Sequence, residues 1–187
     1  MRKLIMWNLI TLDGMFEGPK SWDLDWHQSV WGPELEQFVI EQLRSAELLL
    51  FGRITYQGMA AYWQTAQGEI EVADFMNNLP KLVFSRTLAS ADWNNTRLVR
   101  HDPVAEVLRL KQEGAGNMFI FGSADLSSTL TKHGLIDEYR LAVTPIVLGS
   151  GNALFKPSPD RVELQLIEAQ SLGSGCVILR YEPKRKQ

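Results

Sequence analysis

At 187 residues, 45% hydrophobic and 22% charged, the chain has the make-up of one globular domain with a substantial core. A formal charge of −3 and the lack of a basic patch argue against nucleic acid as the main partner. No apolar run reaches the ~18 residues needed to span a membrane, and the lone Cys176 excludes an internal disulfide or a Cys-based zinc site and fits a cytoplasmic location.

Met1-Arg2-Lys3 ahead of an apolar stretch has the outline of a secretion signal. Asn8, Thr11 and Asp13 interrupt that stretch too early, however, and residues 2–9 read as a first β-strand. Thr11-Leu12-Asp13-Gly14 closes it. Asp-Gly is a turn dipeptide, and an aspartate at a cleft mouth is also placed to bind a substrate hydroxyl or amine. Residues 15–32 show little regular pattern yet hold Trp22, Trp26 and Trp31. A loop so long and aromatic reads either as a lid or as a dimer interface or satellite core. Asp23, Asp25 and His27 share it as acid–base candidates, with nothing to support a metal there. Residues 33–46 read as a helix, with Pro33 in the first turn and Leu35, Phe38, Val39, Leu43 and Ala46 at helical spacing. Glu34 and Glu36 stand where the helix dipole favours carboxylates whatever the chemistry.

Residues 47–51 form an apolar strand ending at Gly52, and Arg53 opens a helix. Short strands follow at 81–85 and 96–100. Asp102 caps a helix with Pro103 at its first position and Val104, Val107 and Leu108 on the buried face. Residues 117–121 form a second strand ending in glycine, followed by a helix from Ser123 to about His133 that Gly134 stops. The period then changes to two. Tyr139, Leu141 and Val143 alternate with polar or small residues, as do Val162, Leu164 and Leu166, then Val177, Leu179 and Tyr181. Leu172-Gly173-Ser174-Gly175 turns the last two strands into a hairpin. Lys184-Arg185-Lys186 reads as a solvated tail. There is no internal repeat or linker, and the pattern is a mostly parallel sheet with helices on both faces and an antiparallel end.

Phe51-Gly52-Arg53 and Phe121-Gly122-Ser123 have the same design. A buried strand stops at glycine and turns into a helix whose first N–H groups are unpaired, a natural seat for phosphate. Two such seats point to a dinucleotide at the carboxyl ends of the strands. Arg53 can grip a phosphate bidentately and Thr55 can add a hydroxyl; the alternative is an ordinary helix start with a solvated arginine. Ser123 is either a second phosphate contact or the N-cap of its own helix. Neither corner matches the Rossmann glycine pattern or the P-loop. Ser85-Arg86 ends the intervening strand at a similar height. Beside Arg53 it would recognise the extra phosphate that separates NADP from NAD; otherwise it is a surface turn. His101 and His133 have no evident partners, and Cys176 reads as a small apolar strand residue.

Leu12-Asp13-Gly14, Phe51-Gly52-Arg53 through Thr55-Tyr56, Val83-Phe84-Ser85-Arg86, Phe121-Gly122-Ser123 and the run from Thr144 to Gly151 occur in that order. Together they resemble the dihydrofolate-reductase-like superfamily, in its branch related to the reductase domain of bifunctional riboflavin-biosynthesis deaminase-reductases. Leu12-Asp13-Gly14 with Gly18-Pro19 and Asp23-Leu24-Asp25-Trp26 is similar to stand-alone members of that branch. The resemblance covers nearly the whole chain and implies a single domain, 1–187, with a three-layer α/β/α fold, a mixed, mostly parallel sheet and a C-terminal antiparallel hairpin; no deaminase domain is expected.

The resemblance further implies NADPH as cofactor. Gly52, Arg53 and Thr55 would hold the phosphates of the adenosine half, and Ser85 and Arg86 would meet the 2′-phosphate. Gly122, Ser123, Ala124 and Asp125 would form the second phosphate loop, and residues 9–13 would flank the nicotinamide. It implies a homodimer and hydride transfer to a C=N or C=O carbon of a small flat substrate. The nearest named activity is 5-amino-6-(5-phosphoribosylamino)uracil reductase; dihydrofolate reduction and a non-catalytic NADP-binding dimer are the alternatives. Asp13, then Asp25, are the candidates for substrate contact or proton supply. Two departures stand out. Gly122-Ser123 replaces the Gly-Gly, often with a cis peptide, of dihydrofolate reductases. Met15 stands where riboflavin-pathway reductases carry a basic residue. Glu36 is the nearest by position to the catalytic acid of dihydrofolate reductases, and a helix-surface role explains it equally well.

Overall fold

The computed structural model describes residues 2–184; Arg185 and Lys186 of the basic tail lie outside the described residues. In chain order the elements are β1 (Leu4–Thr11), β2 (Met15–Glu17), α1 (Pro33–Arg44), β3 (Ala46–Gly52), α2 (Arg53–Trp63), α3 (Ile70–Asn78), β4 (Lys81–Phe84), β5 (Thr96–Val99), α4 (Pro103–Gln112), β6 (Asn117–Phe121), α5 (Ala124–Lys132), β7 (Glu138–Thr144), β8 (Asn152–Ala153), β9 (Leu164–Ser171) and β10 (Val177–Pro183).

The main sheet runs β5-β4-β3-β6-β1-β7-β10-β9, and β2 pairs with β8 in a small second sheet. From β5 to β7 every pairing is parallel, whereas β10 runs antiparallel to both β7 and β9. Burial on both faces explains why the central strands read as unbroken apolar runs. In β3, Leu49 and Phe51 join one core with α1, Tyr56 of α2 and α3. Leu48 and Leu50 join the other with α4 and α5. The result is a three-layer α/β/α fold with an antiparallel C-terminal hairpin, which Gly175, at φ +82, turns. No helix among the described residues is long and apolar enough to cross a membrane.

Several expectations are corrected. Ala46 belongs to β3, since α1 ends at Arg44. The buried face of α4 is Val107 and Leu110, with Leu108 47% exposed, because at 100° per residue the stripe advances from 107 to 110 and leaves 108 on the outer side. Helix α3 was not anticipated. It is short, and Lys81 rather than a local signal holds its last turn, donating to the carbonyls of Met76 at 2.8 Å and Leu79 at 2.6 Å. The irregular stretch 15–32 contains β2 and a 3₁₀ turn, Asp25–Ser29, both too short to leave a period. Val162 lies outside β9, which starts at Leu164. Glu34 does more than complement a dipole, because it accepts the Gly173 N–H of the hairpin at 2.6 Å.

Candidate active site

Parallel strands end on one rim, so β5, β4, β3, β6 and β1 all deliver their carboxyl ends to the same edge. A cleft of about 760 Å³ runs along it. Arg86, Arg100 and His101 line one end, Gly52 to Thr55 and Gly122 to Asp125 the middle, and Leu9, Glu17, Trp22, His27 and Trp31 the other end. Both glycine corners therefore face one crevice.

The corners are tied to each other. Gly52 N donates to Ser123 Oγ at 2.9 Å, and Ser123 N donates to Thr55 Oγ1 at 2.9 Å. Gly122 and Ser123 are both left-handed, at φ +51 and +54. For a non-glycine residue that conformation costs about 1–2 kcal/mol. Bonds from Gly122 N to Asn8 Oδ1 at 2.6 Å and from Ser123 Oγ to Phe121 O at 3.0 Å hold it. A Cβ on Gly122 would stand 3.1 Å from Thr55 Oγ1. All peptide bonds among the described residues are trans. Of the two readings of Ser123, capping its own helix is not what the structure shows. Neither α2 nor α5 carries a side-chain cap, so both helix N-termini open on the cleft unsealed.

Cations stand along the phosphate-sized part of the cleft. Arg53 is exposed, its Nη1 donating to Gln57 Oε1 at 3.2 Å, and Arg86 is exposed. Arg100 donates to the carbonyls of Arg86 at 3.1 Å and Leu88 at 2.8 Å. It thereby braces the turn in which Ser85 Oγ accepts the Thr87 and Leu88 N–H groups. Lys156 Nζ lies 3.6 Å from Asp125 Oδ1. Sequence reasoning missed Arg100 and Lys156. The register Phe84↔Val99, which sets residue 100 beside Ser85, was the signal for the first; Lys156 sits in an irregular segment with no signal. His101, without an evident partner in the sequence, has one: its Nε2 lies 3.1 Å from Glu106 Oε2. His133 Nδ1 lies 2.9 Å from Thr129 O.

Asp13 and Asp25 are not among the residues lining the cleft. Thr11 Oγ1 donates to Asp13 Oδ1 at 2.6 Å, Gly149 N to Oδ2 at 2.8 Å and Leu148 N to Oδ1 at 3.1 Å. These bonds lower its pKa to about 2, which keeps it ionised and makes it a poor proton donor at neutral pH. Asp25 is exposed at the start of the 3₁₀ turn. Among the described residues no group of three His, Cys, Asp or Glu side chains is arranged to hold a metal.

The polar groups that line the inner cleft include Asn8, Glu17 and His27. Asn8 is 6% exposed, and its Nδ2 has no hydrogen-bond partner. His27 Nε2 is likewise buried without a partner, and burial pushes its pKa down to about 4. Glu17 accepts from Trp22 N and Asn152 Nδ2, both at 2.9 Å. In the sequence Asn8 registered only as a break in an apolar strand, and Glu17 gave no signal. The three loop tryptophans divide the two readings between them. Trp22 and Trp31 line the cleft, whereas Trp26 is buried against His27, ring centroids 4.3 Å apart. Trp22, at φ +67, lays its indole directly on α2, where a Cβ on Gly58 would come within 2.2 Å of the ring.

Four similarities to known proteins bear on this arrangement. The uncharacterized Bacillus subtilis (strain 168) protein YyaP is 30% identical over 183 residues, 96% of this chain and 94% of the relative. A solved structure from Shewanella sp. PV-4, assigned provisionally to riboflavin biosynthesis, superposes with a TM-score of 0.82 at 23% identity, covering 98% of this chain and 99% of that one. Enterococcus faecalis dihydrofolate reductase, solved in complex with NADP(H) and the compound RAB-propyl, gives 0.65 at 13% identity, with 98% and 97% covered. At these identities the two structures establish the dihydrofolate-reductase-like fold. The profile of the RibD C-terminal domain matches residues 2–178, and the chain belongs to that family.

Proposed function

We propose that this protein is an NADPH-dependent reductase of the riboflavin-pathway type, delivering hydride to a C=N or C=O carbon of a small planar substrate. One observation carries the reading: two uncapped helix N-termini, bonded corner to corner through Gly52 and Ser123, open on a single rim flanked by arginines. The residues present fit a pyridine dinucleotide. Gly122 leaves room that a Cβ would fill, and the buried Asn8 Nδ2 lacks a protein partner. The NADP(H) complex of the structurally similar E. faecalis enzyme supports the same choice.

In this reading Gly52, Arg53 and Thr55 with the α2 N-terminus hold one phosphate, and Gly122, Ser123, Ala124 and Asp125 with the α5 N-terminus hold the next. Ser85 and Arg86, braced by Arg100, meet the 2′-phosphate, and Asn8 meets the nicotinamide end. When bound, NADPH supplies the hydride, and the protein orients it and keeps water out. The loop carrying Trp22 and Trp31 covers that end. Asp13 anchors the segment at Leu148 and Gly149 and leaves proton supply to groups inside the cleft. The nearest named activity is reduction of 5-amino-6-(5-phosphoribosylamino)uracil. A cytoplasmic location and a homodimer belong to the same reading; the dimer is supported by the outermost strand β9, which leaves Leu166 and Ile167 exposed for a second copy to cover.

Tryptophan fluorescence titration tests the proposal. NADPH is expected to bind in preference to NADH, and Arg86→Ala to weaken NADPH about tenfold or more with little effect on NADH, since a charged hydrogen bond contributes about 1.5–3 kcal/mol. Equal losses for both cofactors would reject the assignment.

A further inference from the structure

We infer that Lys156 leaves its ion pair with Asp125 to bind the cofactor phosphate at the α5 corner, an assignment that rests on the reductase reading above. The two corners are unequally supplied with charge. Among the described residues, the arginines and lysines that line the cleft are Arg53, Arg86, Arg100 and Lys156. Arg53 opens α2, and Arg86 and Arg100 lie just past the ends of β4 and β5. Of the four, Lys156 is the one paired to α5, through Asp125.

The α5 corner has its own need of a cation. Asp125 puts a carboxylate, 95% exposed, in the first turn of that helix. A phosphate would compete with this carboxylate for the same helix end and be repelled by it. Ser123 Oγ is already spent, accepting from Gly52 N at 2.9 Å and donating to Phe121 O at 3.0 Å. Lys156 Nζ stands 3.6 Å from Asp125 Oδ1, a loose ion pair open to solvent. Such a pair adds little to stability, so Lys156 gains by exchanging one carboxylate for a phosphate with more oxygen acceptors. Asn8 marks the same corner as a ligand seat independently of any helix end. It lines the cleft, is 6% exposed, accepts from Gly122 N at 2.6 Å and keeps its Nδ2 without a partner.

Lys156 comes from the strap that follows β8, and the backbone ahead of it is pinned. Leu154 is 1% exposed, and its N–H donates to Gly14 O at 3.1 Å. The Phe155 ring lies 6.3 Å from that of Tyr139. With that backbone held in the free protein, the flexible lysine stem alone has to move.

Calorimetric titration of the full chain with NADPH, NADH and adenosine 2′,5′-bisphosphate tests the assignment. The bisphosphate carries the 2′-phosphate and the adenosine-side phosphate but lacks the second one. Lys156→Met keeps the apolar stem and removes the charge. It should weaken NADPH and NADH alike, about tenfold each, and leave the bisphosphate within about twofold of the parent. Lys156→Arg should restore most of the loss. In an Asp125→Asn background Lys156→Met should cost as much as before. If Asp125→Asn instead abolishes the loss, Lys156 is only the counter-ion of Asp125 and the inference fails. It fails equally if Lys156→Met changes neither dinucleotide, weakens NADPH alone, or weakens the bisphosphate to the same degree. A parent protein that binds neither dinucleotide would overturn the reductase reading and this inference together. A parent that binds both, with Lys156→Met matching it, would overturn the Lys156 assignment alone.

Discussion

The two ends of the cleft are made in opposite ways. The glycine corners are local: a strand stops, the backbone turns, and the binding groups are the N–H groups of the next few residues. The inner end is non-local, gathered from β1, the 15–32 loop and α2, which are far apart in the chain. The corners therefore tolerate little change at one residue and are indifferent to most others. The inner end spreads its shape over many side chains and is closed by a loop that rests on α2 through one ring on one glycine.

The strongest way to break this contrast is Gly122→Val. A β-branched residue at φ +51, with its Cβ 3.1 Å from Thr55 Oγ1, should lose about 2 kcal/mol or more at the corner. That corresponds to roughly thirtyfold weaker NADPH, read by fluorescence titration. If NADPH affinity is unchanged, the corner is not the phosphate seat. Gly58→Ala probes the other end. A methyl group 2.2 Å from the Trp22 ring must push the loop off α2. The expected outcome is a red-shifted tryptophan emission with NADPH affinity within about threefold of the parent, under 1 kcal/mol. An unshifted spectrum would show that the loop does not depend on this contact.

The smallest expected effect is a pH dependence confined to the loop. His27 has a folded-state pKa of about 4 against 6.5 for an imidazole in water, lowered by burial. The opened loop therefore takes up the proton first as the pH falls. Its stability is full above 6.5, declines as the pH falls through about 4, and is level below that. Thermal melting or tryptophan emission across that window should follow this course, and His27→Gln should flatten it. A parent protein with no change between those values would show that His27 is accessible to water.

Legibility followed the same division. Asp102 was identifiable as a cap because its partner, the Val104 N–H at 3.0 Å, is two residues away. The two glycine-ended strands were identifiable because burial on both faces leaves continuous apolar runs that glycine visibly stops. The role of Asn8 is not legible locally, because its bond to Gly122 N joins the neighbouring strands β1 and β6. Arg100 had no local mark at all; the pairing of β4 with β5 gave it a place at the cleft. Leu108 is legible only in the fold, because three apolar residues in a short helix do not specify which side the sheet covers.

By itself the order of residues determined the layered sheet, the two open helix starts and the direction in which they face, since all of these follow from periodicity, glycine and the polarity of the chain. Only the tertiary structure decided that Asp13 is tied up with Leu148 and Gly149, and that Asn8 and His27 bring buried polar atoms without partners to the inner end of the cleft. The reason is physical: a backbone turn is set by its neighbours in sequence, whereas the solvation and pairing of a side chain are set by whatever the fold brings against it.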